Sequence, residues 1–249
     1  MKLSVIMPVY SETESVCRII EDISLRLKEH LLEIILIVAS RSSDESKMIC
    51  SKIATDHNLV RMIMQSERPG FGQAYREAFP HARGTHILML DADEEFDLVA
   101  IPRMIDRAGD GADVVVGCRW IPGGGVEGYG LSTFFANRAF QLVLRLAFRT
   151  PLHDLTFGFK LLSIHVIRSI PWEGKMHELA METTLKPLRF GYRVEEVPAF
   201  WTRRREGRSK NQSFMWRARW YLPIAWRILR AFPPPGTPLY AKRLMSAVR

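Results

Sequence analysis

Cysteine is scarce in this chain: Cys17, Cys50 and Cys118 are odd in number and show neither Cys-x-x-Cys nor Cys/His ligand spacing. They support neither a disulfide framework nor a zinc site, and a reducing cytoplasm fits them best. No apolar run reaches the roughly 18 to 20 residues that a membrane span needs. The opening Met-Lys-Leu-Ser-Val-Ile-Met-Pro turns polar at Ser11-Glu12, too short an apolar stretch for a signal peptide, so any membrane contact is expected to be peripheral. Internal repeats and low-complexity segments are also missing. Acidic residues are in deficit, 27 against 35 Lys plus Arg, for a net charge of +8. That balance points to an anionic partner such as nucleotide, phospholipid or nucleic acid, without choosing among them.

What is present is enough for a full core: 249 residues, 47% hydrophobic and 25% charged. Lys2 to Met7 reads as a buried strand, and Ser11-Glu12-Thr13-Glu14 has the form of a capping box, Ser11 capping and Glu14 reaching back. Val16, Ile19, Ile20, Ile23 and Leu27 follow at helical spacing. Further strands are expected at 34–38, 60–64 and 86–90, with helices over 44–56 and 73–79 between them. This alternation predicts an α/β fold with a mainly parallel sheet covered by helices on both faces. The second half is less regular. It offers a strand at 114–117, a mobile loop at Pro122-Gly123-Gly124-Gly125, a long helix over 131–148 and a strand over 194–200.

The central chemical feature is Leu90-Asp91-Ala92-Asp93-Glu94-Glu95, two aspartates one residue apart at the end of the fourth strand. Ligands of such sheets bind beyond the carboxyl ends of the strands. Hard carboxylate oxygens there suit Mg²⁺ or Mn²⁺ bridging to diphosphate oxygens and neutralising a leaving nucleoside diphosphate. Alone, an Asp-x-Asp turn is also what a solvated acidic cap looks like. Arg119 after a strand and Arg138 on the next helix are candidates for a donor diphosphate, or else structural ion pairs. Asp154, in Asp-x-Thr-x-Gly-Phe, is a candidate to orient metal or acceptor, or else a turn cap. His153 and His177 are the histidines to consider if a hydroxyl acceptor needs a base.

Three segments, Pro8-Val9-Tyr10-Ser11-Glu12, Arg68-Pro69-Gly70-Phe71-Gly72-Gln73-Ala74 and Asp91-Ala92-Asp93-Glu94-Glu95, resemble in order and spacing the nucleotide-binding half of the family 2 inverting glycosyltransferases. Gly117-Cys118-Arg119-Trp120, Asn137-Arg138, Asp154 to Lys160 and Arg205-Glu206-Gly207-Arg208-Ser209-Lys210 look like the polyprenyl-phosphate sugar synthases, the dolichol-phosphate mannose synthase group. The similarity spans residues 3 to 210. It implies an A-type glycosyltransferase fold, a nucleotide-sugar donor and a polyprenyl phosphate acceptor. By the same resemblance Pro8, Tyr10, Glu12, Ser40 and Asp91 fall at nucleotide-binding positions and Asp91, Asp93 and Glu95 at metal-binding ones. Asp91, Asp93 and Asp154 are the catalytic candidates, and Arg119, Arg138, Arg204, Arg205 and Lys210 the phosphate-binding ones. One departure stands out: where relatives carry Asp-Asp after the second strand, this chain has Ala39-Ser40, which should alter base preference or weaken donor binding.

From Trp201 to Arg230 eight arginines and Lys210 face the single acid Glu206, with Trp201, Trp216, Trp220 and Trp226 interleaved. Arginine with tryptophan suits the headgroup boundary of an anionic membrane. It also suits single-stranded nucleic acid or a solvated face, but no nucleic-acid motif is present and none is expected as partner. The organisation expected is one domain over 1–230, a nucleotide half to about 111 and an acceptor half from about 112, then a tail over 231–249. Its place would be the cytoplasmic face of a membrane. A hydroxyl-acceptor transferase and a non-catalytic sugar-nucleotide or membrane-binding module remain the alternatives.

Overall fold

A computed structural model describes residues 1–66, 70–203 and 214–231, the side chains of 214–218 excepted. The order of elements is β1 (Leu3–Val9), α1 (Glu14–Arg26), β2 (Leu31–Val38), α2 (Asp44–Asp56), β3 (Val60–Met64), α3 (Phe71–Ala78), β4 (His86–Met89) and α4 (Ile101–Gly109). There follow β5 (Val114–Cys118), β6 (Gly125–Val126), α5 (Leu131–Phe148), β7 (Lys160–Ser163), α6 (Ile164–Ser169), α7 (Glu178–Phe190), β8 (Val194–Pro198), β9 (Phe200–Trp201) and α8 (Phe214–Ala231).

Seven strands form one sheet in the order β3-β2-β1-β4-β7-β5-β8, and β6 and β9 form a separate two-stranded ribbon. The β1–β2, β1–β4, β2–β3 and β5–β8 pairs are parallel, and only β7 runs against its neighbours β4 and β5. Aliphatic side chains on both faces explain why β1, β2, β4 and β5 read as largely apolar runs. Along β7, Leu161 enters one core and Leu162 the other. One core lies between the sheet and α1, α2 and α4; the opposite one receives Tyr75 of α3, Val166 of α6 and Leu179 of α7. A third cluster joins Leu144 and Phe148 of α5, Met181 and Leu185 of α7, and Ile224 and Ile228 of α8. Each fully buried Leu or Ile in these clusters stabilises the fold by about 1.5–3 kcal/mol.

Several expectations need correction. The capping box at Ser11 does not form: α1 starts at Glu14 behind Thr13, which makes no side-chain cap. The Glu12 carboxylate instead accepts the backbone N–H groups of Tyr10 and Ser11, at 2.7 and 3.0 Å, and the Ser11 hydroxyl donates to the Tyr10 carbonyl. The Ser11 amide, which Glu14 would take in a capping box, goes to Glu12 instead. The expected strand over 194–200 is two strands in two sheets, broken at Ala199. The loop at 122–125 is held at its end, where Gly125 pairs with Phe200. Unanticipated were α4, β7, α6 and α7.

The start of α3 and the segment before α7 meet in a seam of close backbone contact. A Cβ at Gly72 would stand 2.6 and 2.7 Å from the carbonyl oxygens of Gly174 and Met176, and one at Gly70 would stand 2.5 Å from that of Lys175. Gln73 N–H donates to Lys175 O at 2.9 Å. The 171–177 segment is in turn shaped by carboxylates of α7: Glu182 accepts the amides of Glu173 and Gly174, and Glu178 those of Lys175 and Met176.

Candidate active site

Asp91 and Asp93 follow β4 at the carboxyl edge of the sheet, between the loop after β1 and the ribbon of β6 and β9. Both are half-buried. The acidic turn is held from two sides. On the α1 side, the Ser15 hydroxyl donates to Ala92 O at 2.8 Å, and Arg18 grips Glu94 with two bonds of 3.0 and 2.9 Å. Glu94 itself sits at φ 60°, in the left-handed region, so the turn reverses sharply there. On the ribbon side, Trp201 Nε1 donates to Glu95 Oε2 at 2.9 Å and Thr202 N–H to Glu95 O at 3.0 Å. Asp93 Oδ1 accepts Glu95 N–H at 3.2 Å.

Glu95 is the third residue expected at the metal. Its carboxylate is buried and turned toward the Trp201 indole, and among the described residues no group of three or more His, Cys, Asp and Glu side chains surrounds a common point. What remains is an aspartate pair. A pair of hard oxygen ligands leaves coordination positions for phosphate oxygens and water, the arrangement Mg²⁺ favours over an all-protein cage. The residues present therefore fit a divalent ion held jointly with a diphosphate. Beneath them Tyr75 is buried, and its hydroxyl donates to Leu90 O at 3.3 Å. Its phenol is held well above the ordinary range, by burial first and then by the negative charge of Asp91 and Asp93.

The nucleotide-side candidates line the neighbouring strand ends. Pro8 lies within β1 opposite Ile37, Tyr10 is exposed in the loop after it, and Ser40 is exposed in the turn after β2. Ala39 N–H and the Ser42 hydroxyl both return to Val9 O, at 2.9 and 3.3 Å, which ties the two loops together.

Arg119 and Asp154, expected to face the diphosphate and the metal or acceptor, face one another. Arg119 Nε and Nη2 donate to the two Asp154 oxygens at 2.7 and 2.8 Å, and the Arg119 amide adds a third bond at 3.1 Å. Asp154 is fully buried and Arg119 nearly so. Burial alone would lower the guanidinium pKa, but the adjoining Asp154 carboxylate outweighs it and holds Arg119 charged. Around this ion pair Gln141 of α5 bonds Thr156 and the Leu155 amide, and Glu196 of β8 accepts the amides of His153 and Asp154, at 2.7 Å each. The His153 ring meets Glu196 at 3.0 Å, while His177 stacks on Phe71 at 5.0 Å. Sequence reasoning missed Gln141 and Glu196, whose partners are distant in the chain.

Arg138 is the candidate left on the surface. It is exposed on α5 and lies over the Trp120 ring at 5.2 Å, with Arg119 over the same ring at 5.3 Å. Arg204, Arg205 and Lys210 lie outside the described residues.

A mostly parallel α/β sheet flanked by helices, with an aspartate pair after its fourth strand, has the architecture of the A-type glycosyltransferases. The family model "Glycosyl transferase family 2" matches residues 4–170, and the chain belongs to that family; it is a glycosyltransferase. It is 28% identical over 244 residues to an undecaprenyl-phosphate mannosyltransferase of Micrococcus luteus, covering 93% of this chain and 98% of that one. To a polyprenol monophosphomannose synthase of Mycolicibacterium smegmatis it is 27% identical, covering 83% of this chain and 79% of the relative. Among solved structures, glucosyl-3-phosphoglycerate synthase from Mycobacterium tuberculosis, in complex with Mn²⁺, UDP-glucose and phosphoglyceric acid, superposes with a TM-score of 0.68 at 17% identity. That match covers 94% of this chain and 81% of the other, and it establishes the shared fold.

Proposed function

We propose that this enzyme transfers a hexosyl unit, with inversion, from a nucleotide-sugar donor to a polyprenyl phosphate. The observation that carries the reading is the aspartate pair at the end of β4, in a chain similar over most of its length to enzymes named for polyprenyl phosphate acceptors. Asp91 and Asp93 would hold Mg²⁺ or Mn²⁺, which when bound supplies charge neutralisation for the departing nucleoside diphosphate. Tyr10, Pro8 and Ser40 form the nucleoside side of the site, with Glu12 shaping the loop through its bonds to the Tyr10 and Ser11 amides. Arg138, presented on Trp120, offers a guanidinium to phosphate oxygens. Arg204, Arg205 and Lys210 are assigned to the acceptor phosphate.

The acceptor's chemistry makes the reaction simple. A phosphate monoester, with a second pKa of about 6, is already anionic at neutral pH. Its oxygen forms the new bond to the anomeric carbon as the bond from that carbon to the diphosphate breaks, the electron pair leaving with the diphosphate. No base is needed, which agrees with the commitment of both Asp154 oxygens to Arg119. At the end of β2, Ala39-Ser40 supplies no carboxylate to a base or ribose, so discrimination between nucleoside diphosphates should be about tenfold or less.

The test is a transfer assay with nucleotide-sugar donors, Mn²⁺ and either a polyprenyl phosphate or the matching polyprenol. Product with the phosphate alone is the expected result. Transfer to the polyprenol as readily as to its phosphate would favour the hydroxyl-acceptor reading, and nucleotide binding without transfer to either would mark a non-catalytic module.

A further inference from the structure

Helix α5 has an unusual surface for a soluble fold. Leu131 is 78% exposed, Phe135 65%, Leu142 54% and Leu146 70%, and their spacing of 4, 7 and 4 residues places them on one stripe. The opposite stripe, Asn137, Gln141, Leu144 and Phe148, is buried against the protein. A water-facing helix carries polar residues on its outer face; this one carries large apolar ones. Helix α8 lies beside it, Phe140 meeting Tyr221 edge to face at 5.7 Å, and also turns apolar groups outward: Leu222 is 54% exposed and Trp226 59%.

The charge on the two helices selects the partner. Neither α5 nor α8 contains an Asp or Glu. Arginines flank the apolar groups instead: Arg138 and Arg145 on α5, and on α8 Arg219 and Arg230, which lie over the Trp220 and Trp226 rings at 5.0 and 5.2 Å. Exposed Leu and Phe with an aromatic–arginine border and no acid is the composition of a segment lying in the headgroup region of an anionic bilayer, apolar groups inserted and guanidiniums at the phosphates. A second copy of the chain would bring like charge against like charge across such a face.

We infer that α5 and α8 together form one docking face for an anionic lipid bilayer, with α5 as an inserting element in its own right. The inference rests on the polyprenyl phosphate reading for its purpose, but not for its physics. The face leads to the candidate site through rings in contact: Phe135 meets Phe134 at 5.6 Å, Phe134 meets Trp120 at 5.5 Å, and Trp120 carries Arg138. A lipid phosphate at headgroup depth would approach that arginine without leaving the bilayer.

The experiment is flotation of the full chain with phosphatidylglycerol–phosphatidylcholine vesicles that contain neither donor nor acceptor. The triple variant Phe135→Ser, Leu142→Ser, Leu146→Ser should bind at least about tenfold more weakly than the parent, although α8 is intact. Its melting temperature and its affinity for a nucleoside diphosphate with Mn²⁺ should stay unchanged, and so should transfer to a short-chain, water-soluble polyprenyl phosphate. Trp226→Ser should weaken vesicle binding on its own. Vesicle binding by the triple variant equal to the parent's would overturn the proposal, as would equal binding of the parent to pure phosphatidylcholine. A parent dimer in light scattering that the triple variant turns into a monomer would assign the face to a second copy and overturn it as well. If the parent binds vesicles as expected yet transfers to no polyprenyl phosphate, the acceptor reading fails and the docking face stands.

Discussion

The two halves of the sheet handle polar groups in opposite ways. Strands β1 to β4 deliver theirs to the carboxyl edge, where Tyr10, Ser40, Asp91 and Asp93 end in loops held by main-chain bonds and remain within reach of solvent. Glu33, buried in that half, is bonded to Ser4 and to the more exposed Arg61 and Arg83, away from that edge. Around β5, β7 and β8 the polar groups go inside: Asp154, Lys160, Thr183 and Glu182 are fully buried, each with partners from another element or an adjoining loop. A ligand-facing edge can lose a side chain without losing its fold. An internal ion pair cannot, because the surviving charge has no water to return to.

The sharpest way to break this contrast is at the clamp. Asp154→Ala should destabilise the protein by about 3–5 kcal/mol, since Arg119 would be left buried and unmatched, and denaturant unfolding would measure it. The double variant Arg119→Met, Asp154→Leu should recover most of that loss. Loss of transfer in Asp154→Ala at unchanged stability would show instead that the carboxylate acts in the chemistry.

At the edge the reverse is expected. Asp91→Asn or Asp93→Asn should lower transfer by about a hundredfold or more with the melting temperature intact, and EDTA should reproduce the loss in the parent. Near-normal, chelator-resistant turnover in either variant would remove the metal from the reading.

Between the two lies the seam. Gly72→Ala places a methyl against the carbonyls of Gly174 and Met176, so a loss of about 1–3 kcal/mol is expected by thermal unfolding. A neutral outcome would mean that the 171–177 segment gives way easily.

The smallest effect is a matter of pH. Burial, only partly offset by Asp154, takes the Lys160 ammonium down to about 7, below its ordinary value near 10.4. Between those values the unfolded chain binds more protons than the folded one, so the parent's stability from this group rises with pH across about 7 to 10. Lys160→Met should therefore gain most over the parent near pH 6, and the gain should shrink by pH 10. A difference between the two proteins that stays constant with pH would show that Lys160 does not titrate in this way.

Legibility in the sequence divides in a similar way, although β5 and α5 of the second half also fall within one residue of their expected bounds. Expected and observed bounds agree within a few residues for β1, β2, α2, β3, α3 and β4, because each is a run of local periodicity closed by its own turn. The four residues of β7 escape notice: they begin with a lysine, are buried on both faces, and owe their strand to neighbours far away in the chain. Helix α7, with Glu178, Glu182, Lys186 and Pro187, reads as polar and broken, yet all four are buried through bonds or contacts made elsewhere. In the site, strand-end position singled out Asp91 and Asp93. Motif reading set Arg119 and Asp154 in separate roles, since spacing along a chain does not reveal that two opposite charges meet.

The antiparallel β7 also has a consequence for synthesis on the ribosome. It fills the gap between β4 and β5 but is translated after both. Until residue 163 has emerged, the nascent chain can assemble β1 to β4 while β4 and β5 each keep an unpaired flank of amides and carbonyls. Such open edges are sites for pairing with other chains. Fragments ending near residue 150 should therefore be sticky rather than half-functional, and the seven-stranded sheet is completed late, by β7 in its middle and then β8 at its edge.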